Sequence, residues 1–214
     1  DFNWSEISPT IFGAVFESTL NPETRRKGGM HYTSIENIHK VIDPLFLDNL
    51  KKEFAEISAI PAVATRKNRL QQFQNKLAEL TFLDPACGSG NFLTETYLSL
   101  RRLENQTIAQ LIAAQRGQVE GQIVLGGATS VNVKVSISHF YGIEINDFAV
   151  TVAKTALWIA ESQMLKETEA IIREHLDFLP LKTNAYIIEG NALRLDWETV
   201  VPKTKLSYIM GNPP

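Results

Sequence analysis

Asn212-Pro213-Pro214 follows the apolar run of residues 206–210. At the carboxyl end of a strand, such a turn offers an amino group two acceptors, the Asn212 side-chain oxygen and the Pro213 main-chain carbonyl. Pro213 and Pro214 stiffen the turn and remove backbone donors that would compete for those acceptors. The combination suits chemistry on a planar amino or amide nitrogen.

A second group lies upstream. Asp84-Pro85-Ala86-Cys87-Gly88-Ser89-Gly90 follows a short apolar stretch and precedes a helical pattern that begins near Asn91. Gly88 and Gly90 let the backbone bend tightly and come close to a ligand. Strand, glycine loop and helix together aim backbone N–H groups and a positive helix end at a nucleotide-like molecule. Asp84, at the strand end, can pair with a cationic amino group. The spacing is not that of a dinucleotide fingerprint and no phosphate-binding Lys follows, so neither a nicotinamide cofactor nor a P-loop is indicated. Cys87 reads as a small, apolar-like thiol in a tight loop rather than as a nucleophile.

Glu144 ends a further strand pattern and can take both ribose hydroxyls of a nucleoside; the competing reading is an ordinary surface glutamate. Ile145 lies either on the adenine face of the ligand or in the core. Gly190-Asn191-Ala192 ends a third strand, where Asn191 either bonds an adenine amino group or serves as a turn residue. Tyr32 and Thr33 can fold back over the ligand. His31 has no visible partner and is assigned no role.

These positions require elements to carry them. Residues 1–30 read as helix with a turn at Asn21-Pro22, from Ile7, Ile11, Phe12, Val15 and Phe16. Ser34 or Thr33 caps the next helix, whose apolar positions are Ile38, Val41, Ile42 and Leu45, with a break or kink expected at Pro44. Helical patterns follow over 51–57 and 66–80, and again over 149–165. Strands are expected at 81–83, 139–145, 186–189 and 206–210. An insertion at 117–138 reads as a hairpin around Gly126-Gly127, with strands at 123–125 and along Val131, Val133, Val135 and Ile137. Alternating strands and helices imply a parallel α/β sheet, whose ligands sit beyond the carboxyl ends of the strands.

Composition narrows the classes. The chain has 214 residues, 44% of them hydrophobic and 21% charged, as in a globular protein. No apolar run approaches the ~20 residues of a membrane span, and no secretory signal opens the chain. A start at Asp1 without Met, and an end within a domain, lead to the expectation of a piece of a longer polypeptide. The net charge of −3 argues against a strong grip on nucleic acid by this piece alone. The basic clusters Arg25-Arg26-Lys27 and Arg66, Lys67, Arg69 read as solvated faces. Cys87 is the single cysteine, so no internal disulfide forms. No His/Cys/Asp cluster suggests a metal.

With RRKGGMHYTS, FLDPACGSGNFL, FYGIEINDFA, GNALRLDW and YIMGNPP in this order, the chain resembles the gamma-class DNA N6-adenine methyltransferases. It looks most like the methyltransferase region of the MmeI-type fused restriction–modification polypeptides. The resemblance implies a truncated, Rossmann-like class I methyltransferase fold that is dependent on S-adenosyl-L-methionine. That fold is α/β with a mostly parallel sheet and an N-terminal helical segment. Residues 1–30 would be a helical connector, and 31–214 the N-terminal part of the methyltransferase domain. Tyr32 and Thr33 match the N-terminal cofactor motif, and Asp84, Pro85, Ala86, Cys87, Gly88 and Gly90 the glycine loop. Glu144 with Ile145 matches the ribose-binding strand end, and Asn191 with Ala192 the adenine side. Asn212, Pro213 and Pro214 match the catalytic turn.

The implied partner is double-stranded DNA, bound through the complete protein in a cytoplasmic setting. Many relatives carry Asp where this chain has Asn191. The aromatic residue that continues the family's turn is not in the sequence. Glutamine in a protein, or cytosine N4, would suit the Asn-Pro-Pro chemistry equally, and the piece alone can also be read as a cofactor-binding fragment without catalysis.

Overall fold

The computed structural model describes residues 8–10, 12, 15, 33–116, 132–172 and 184–213. Tyr32, Pro214, the 123–125 strand, and most of the expected N-terminal helix lie outside these residues. Pro9, Thr10, Phe12 and Val15 are helical.

Helix α1 (Ile35–Ile42) starts at Ser34, whose hydroxyl accepts the Asn37 N–H at 3.4 Å. Pro44 neither breaks nor ends the helical path. Asp43–Leu47 forms one wide π turn, closed by the Asp48 N–H on the Asp43 carbonyl, and α2 (Asp48–Ser58) continues from it. Pro44 has no N–H to give, and the wide turn accommodates that loss. It also inserts an extra residue, which moves the apolar stripe. Ile38, Ile42, Phe46 and Leu47 are buried, whereas Val41 and Leu45 are each 39% exposed. Helix α3 (Val63–Glu79) begins three residues earlier than the 66–80 pattern suggests, and Arg66 donates to the Ile60 carbonyl at 2.8 Å.

Strand β1 (Phe82–Asp84) leads through the glycine loop into α4 (Asn91–Arg116). Strand β2 (Phe140–Glu144) leads into α5 (Asp147–Ile172), which is longer than its apolar pattern of 149–165. Strands β3 (Tyr186–Glu189) and β4 (Tyr208–Ile209) complete a four-stranded sheet of order β3-β2-β1-β4. Its described pairs are all parallel.

Register explains the core. Phe82 pairs with Phe140 on one side and Tyr208 on the other, so three rings share one face. The Phe82 ring lies 5.2 Å from that of Phe140 and 5.6 Å from that of Tyr208. Phe46, placed by the π turn, packs 5.1 Å from both Phe82 and Tyr208. Truncating a ring so enclosed costs about 3–5 kcal/mol. Helices α4 and α5 pack on the sheet, and buried side chains of α1 to α3 join the same core. The opposite face carries Leu83 and Ile143, both fully buried, under Val201, Trp197 and Leu206.

The expected strand along Val131, Val133, Val135 and Ile137 is absent among the described residues. Residues 132–136 are irregular, and Ile137–His139 is a 3-10 turn. Helix side chains bond this backbone in place of a partner strand. Glu104 accepts the Lys134 N–H at 2.7 Å and the Val135 N–H at 3.2 Å, and Gln74 donates to the Asn132 carbonyl at 2.9 Å. The alternation therefore reports one-sided burial, with Val135 and Ile137 in the core, and no ladder.

Candidate active site

All the strand ends that carry candidate residues open on one cavity of about 430 Å³. Thr33, Asp84, Pro85, Ala86, Cys87, Gly88, Glu144, Ile145, Asn191, Ala192, Asn212 and Pro213 line it. Gly90 does not. Its φ is +82°, and a Cβ there would stand 2.9 Å from that of Ala153, so Gly90 serves the close approach of α4 to α5. The sheet order lays the cavity out from Asn191 and Ala192 after β3, through Glu144 on β2 and Asp84 on β1, to Asn212 after β4.

Backbone bonds between loops hold the rim. The Cys87 N–H donates to the Ile143 carbonyl at 3.1 Å, and the Gly190 N–H to the Glu144 carbonyl at 2.8 Å. Glu144 is buried, so it is no ordinary surface glutamate. One of its oxygens accepts the Gly88 N–H and the other the Asn146 N–H, each at 2.9 Å. Each oxygen keeps a second lone pair for a ligand. Ile145 is 57% exposed and lines the cavity, so it is not core. Asn191 does act as a turn residue, its side-chain oxygen accepting the Leu193 N–H at 2.9 Å.

Asp84 is 2% exposed and accepts the Ala86 N–H at 3.0 Å. Burial pushes its carboxyl up to about 7, against the Ala86 hydrogen bond and with help from the Glu144 charge. Burial, Asp84 and Glu144 also push the Cys87 thiol well up, which fits the apolar-like reading and leaves it a poor nucleophile. Among the described residues that line the cavity there is no Lys, Arg or His. Gly211, at φ +152°, lets the chain pass over Asp84, because a Cβ there would collide with the carboxylate. The turn bearing Asn212 thus rests on the residue that ends β1. Asn212 and Pro213 are exposed at the cavity mouth.

Sequence reasoning missed several wall residues. Asn91, Phe92, Leu193 and Trp197 line the cavity too, beside Ser89 of the glycine loop. Trp197 is fixed by its indole N–H on the Ala192 carbonyl at 2.8 Å. Leu193 is 94% exposed. The signals were weak: Asn91 and Phe92 read as an ordinary helix start, and Leu193 and Trp197 follow β3 in a stretch without periodicity.

This pocket could hold S-adenosyl-L-methionine. Its donor set fits an adenosine linked to a charged amino acid. Glu144 keeps spare carboxylate lone pairs that suit a sugar diol, buried acceptors stand at the β1 end, and apolar side chains flank the β3 end.

The family model described as MmeI, DNA-methyltransferase domain, matches residues 60–214. DNA methyltransferase A of Bacillus subtilis (strain 168) is 41% identical over 99% of this chain, which spans 22% of that relative. The solved structure of the type IIL restriction–modification enzyme MmeI in complex with DNA superposes on all of this chain with a TM-score of 0.85 and 40% identity, and the chain covers 27% of it.

Proposed function

The chain belongs to the MmeI DNA-methyltransferase domain family, and from that premise we propose that it carries the cofactor site and catalytic turn of an adenine-specific DNA methyltransferase. The reaction is S-adenosylmethionine-dependent methylation of the adenine N6 amino group in double-stranded DNA, performed by a longer restriction–modification polypeptide. The observation that carries this reading is the convergence of Asp84, Glu144 and Asn212 on one cavity.

S-adenosylmethionine, when bound, supplies a methyl group activated on a sulfonium. The remaining work falls to this chain's residues. Glu144 would take the ribose hydroxyls, and Asp84 the ammonium of the amino-acid moiety. Ile145, Leu193 and Trp197 would flank the adenine ring of the cofactor, and Thr33 would close over its methionine end. Adenine in a duplex hides its amino group, so the target base must leave the stack. The exposed position of Asn212 and Pro213 at the cavity mouth suits a base that arrives from outside. The Asn212 side-chain oxygen and the Pro213 carbonyl would accept the two amino hydrogens, favour a tetrahedral nitrogen and direct its lone pair into the cavity. Fixing that alignment supplies much of the rate, and the two dipoles stabilise positive charge that develops on nitrogen. With a net charge of −3, this region leaves most of the grip on DNA phosphates to other parts of the polypeptide.

In the full-length protein, Asn212→Ala should lower DNA methylation by about a hundredfold or more. Calorimetric titration should show cofactor binding retained. Mass spectrometry of digested DNA should find N6-methyladenine from the wild type, whereas N4-methylcytosine or labelled protein glutamine would replace the adenine reading. Undiminished methylation by the variant would remove the catalytic turn.

A further inference from the structure

Asn91 opens α4 directly beyond the glycine loop. It is 6% exposed and lines the cavity. Its side-chain oxygen is fully buried and has no hydrogen-bond partner among the described residues. A buried acceptor left unmade costs about 1–3 kcal/mol, and in the wall of a cavity a ligand can supply the missing donor. A helix start does not explain it: a capping Asn uses this oxygen to accept a first-turn N–H, and the Asn91 oxygen accepts none among the described residues.

We infer that the Asn91 side-chain oxygen is a second acceptor, beside Asp84, for the ammonium of the amino-acid moiety in the cofactor. The inference rests on the cofactor reading proposed above and deepens it. Three features argue for an ammonium. Asn91 and Asp84 are the two ends of one loop, so both acceptors belong to the β1 side of the cavity. Glu144, which faces the place of the ribose, stands on the neighbouring strand. The lining also holds two buried carboxyl groups and no cationic side chain among the described residues, and an ammonium brings three donors and the missing positive charge. The adjoining helix end, with its free N–H groups, suits the carboxylate of the same amino acid. Asn91 thus acts as a specificity-determining residue for a ligand that ends in an α-amino acid.

The test is calorimetric titration of the full-length protein with three ligands. S-adenosylmethionine carries the ammonium and the carboxylate, decarboxylated S-adenosylmethionine only the ammonium, and 5′-methylthioadenosine neither. Asn91→Ala should weaken the first two by about tenfold or more and leave 5′-methylthioadenosine within about twofold, the size expected for lost hydrogen bonds to a charged group. Asn91→Asp, which retains an acceptor and a good helix start, should bind S-adenosylmethionine at pH 8 no more weakly than about threefold below wild type. It keeps the test decisive if the alanine variant fails to fold.

Equal losses for all three ligands would assign Asn91 to the adenosine end and overturn the inference. A loss confined to S-adenosylmethionine itself would assign Asn91 to the carboxylate, with the same consequence. Unchanged affinities with reduced methylation would place it on the target base. Wild-type protein that binds none of the three would overturn the cofactor reading, and this inference with it.

Discussion

Two groups of buried ionisable residues among those described differ in how their charge is answered. Between α4 and α5, Arg101 and Glu104 are both fully buried and paired with each other. Glu104 also accepts from Gln74 at 2.8 Å and from the Lys134 and Val135 N–H groups, and Arg101 donates to Thr168 at 2.7 Å. At the strand ends, Asp84 and Glu144 are buried with backbone N–H groups as their partners, and no cationic side chain joins them in the lining among the described residues. Charge is balanced within the protein in the first set. The second leaves negative charge and spare lone pairs directed into an open cavity. Burial alone therefore does not mark a functional carboxylate; an unanswered charge facing a cavity does.

Breaking each set should move stability in opposite directions. Glu104→Ala strands the Arg101 guanidinium and removes the anchor of residues 132–136, and should cost about 3–5 kcal/mol in urea unfolding. Replacing both partners by Met and Leu should cost much less than the two single losses combined. Asp84→Asn keeps the shape and the Ala86 hydrogen bond but deletes the unanswered charge. At pH 8 its unfolding midpoint should equal or exceed that of wild type. A loss comparable to that of Glu104→Ala would show that Asp84 is structural and dissolve the contrast.

The next effect is smaller and concerns binding. The Asp84 carboxyl in the folded chain is pushed up to about 7 from an ordinary value of 3.8. The folded state thus holds a proton that the unfolded state has lost, so the ligand-free chain loses stability as pH rises from about 4 to 7. An ammonium favours the ionised carboxylate, so its arrival expels that proton. Affinity for S-adenosylmethionine should rise by about tenfold per unit as pH approaches 7 from below, then level off. Titrations in buffers of different ionisation enthalpy should report one proton released. Asp84→Asn should flatten both signals, and a pH-independent wild type would end the proposed ammonium contact.

The contrast also explains what could be read before any coordinates. Strand β1, the glycine loop and α4 announce themselves because apolar runs, turn residues and helical spacing are local properties. The common rim follows, because parallel strands place their carboxyl ends together. Phe46 was hidden, since a π turn at Pro44 shifts the stripe by one residue and leaves no mark in the spacing. Val133, Val135 and Ile137 misled, because Glu104, about thirty residues away, holds the backbone of Lys134 and Val135, and no periodicity encodes a side chain that replaces a strand. Asn91 stood in plain view, but only burial distinguishes an orphan acceptor from a helix start. The balanced pair Arg101 and Glu104 was equally invisible, because charged residues on a helix read by default as solvent-facing.

A third site lies between the two extremes and should give the smallest effect. His39 on α1 bonds Asp43 at 2.7 Å and Glu95 on α4 at 3.2 Å, with Lys51 4.0 Å from Asp43 and Arg102 3.3 Å from Glu95. Burial works against the imidazolium, but the bonds and charges of Asp43 and Glu95 outweigh it and raise its pKa above 6.5. A raised value in the folded state means that the stabilisation is fully present below 6.5 and disappears as pH rises through the folded pKa. The His39 side chain is 29% exposed, so solvent and the neighbouring cations screen the pair and hold its worth below about 1 kcal/mol. His39→Gln should therefore lower stability most at about pH 5.5 and hardly at all at about pH 8.5, as read from urea midpoints at both pH values. A deficit that grows toward alkaline pH would mean that His39 is needed neutral, and that α1 is held to α4 by packing rather than by an answered charge.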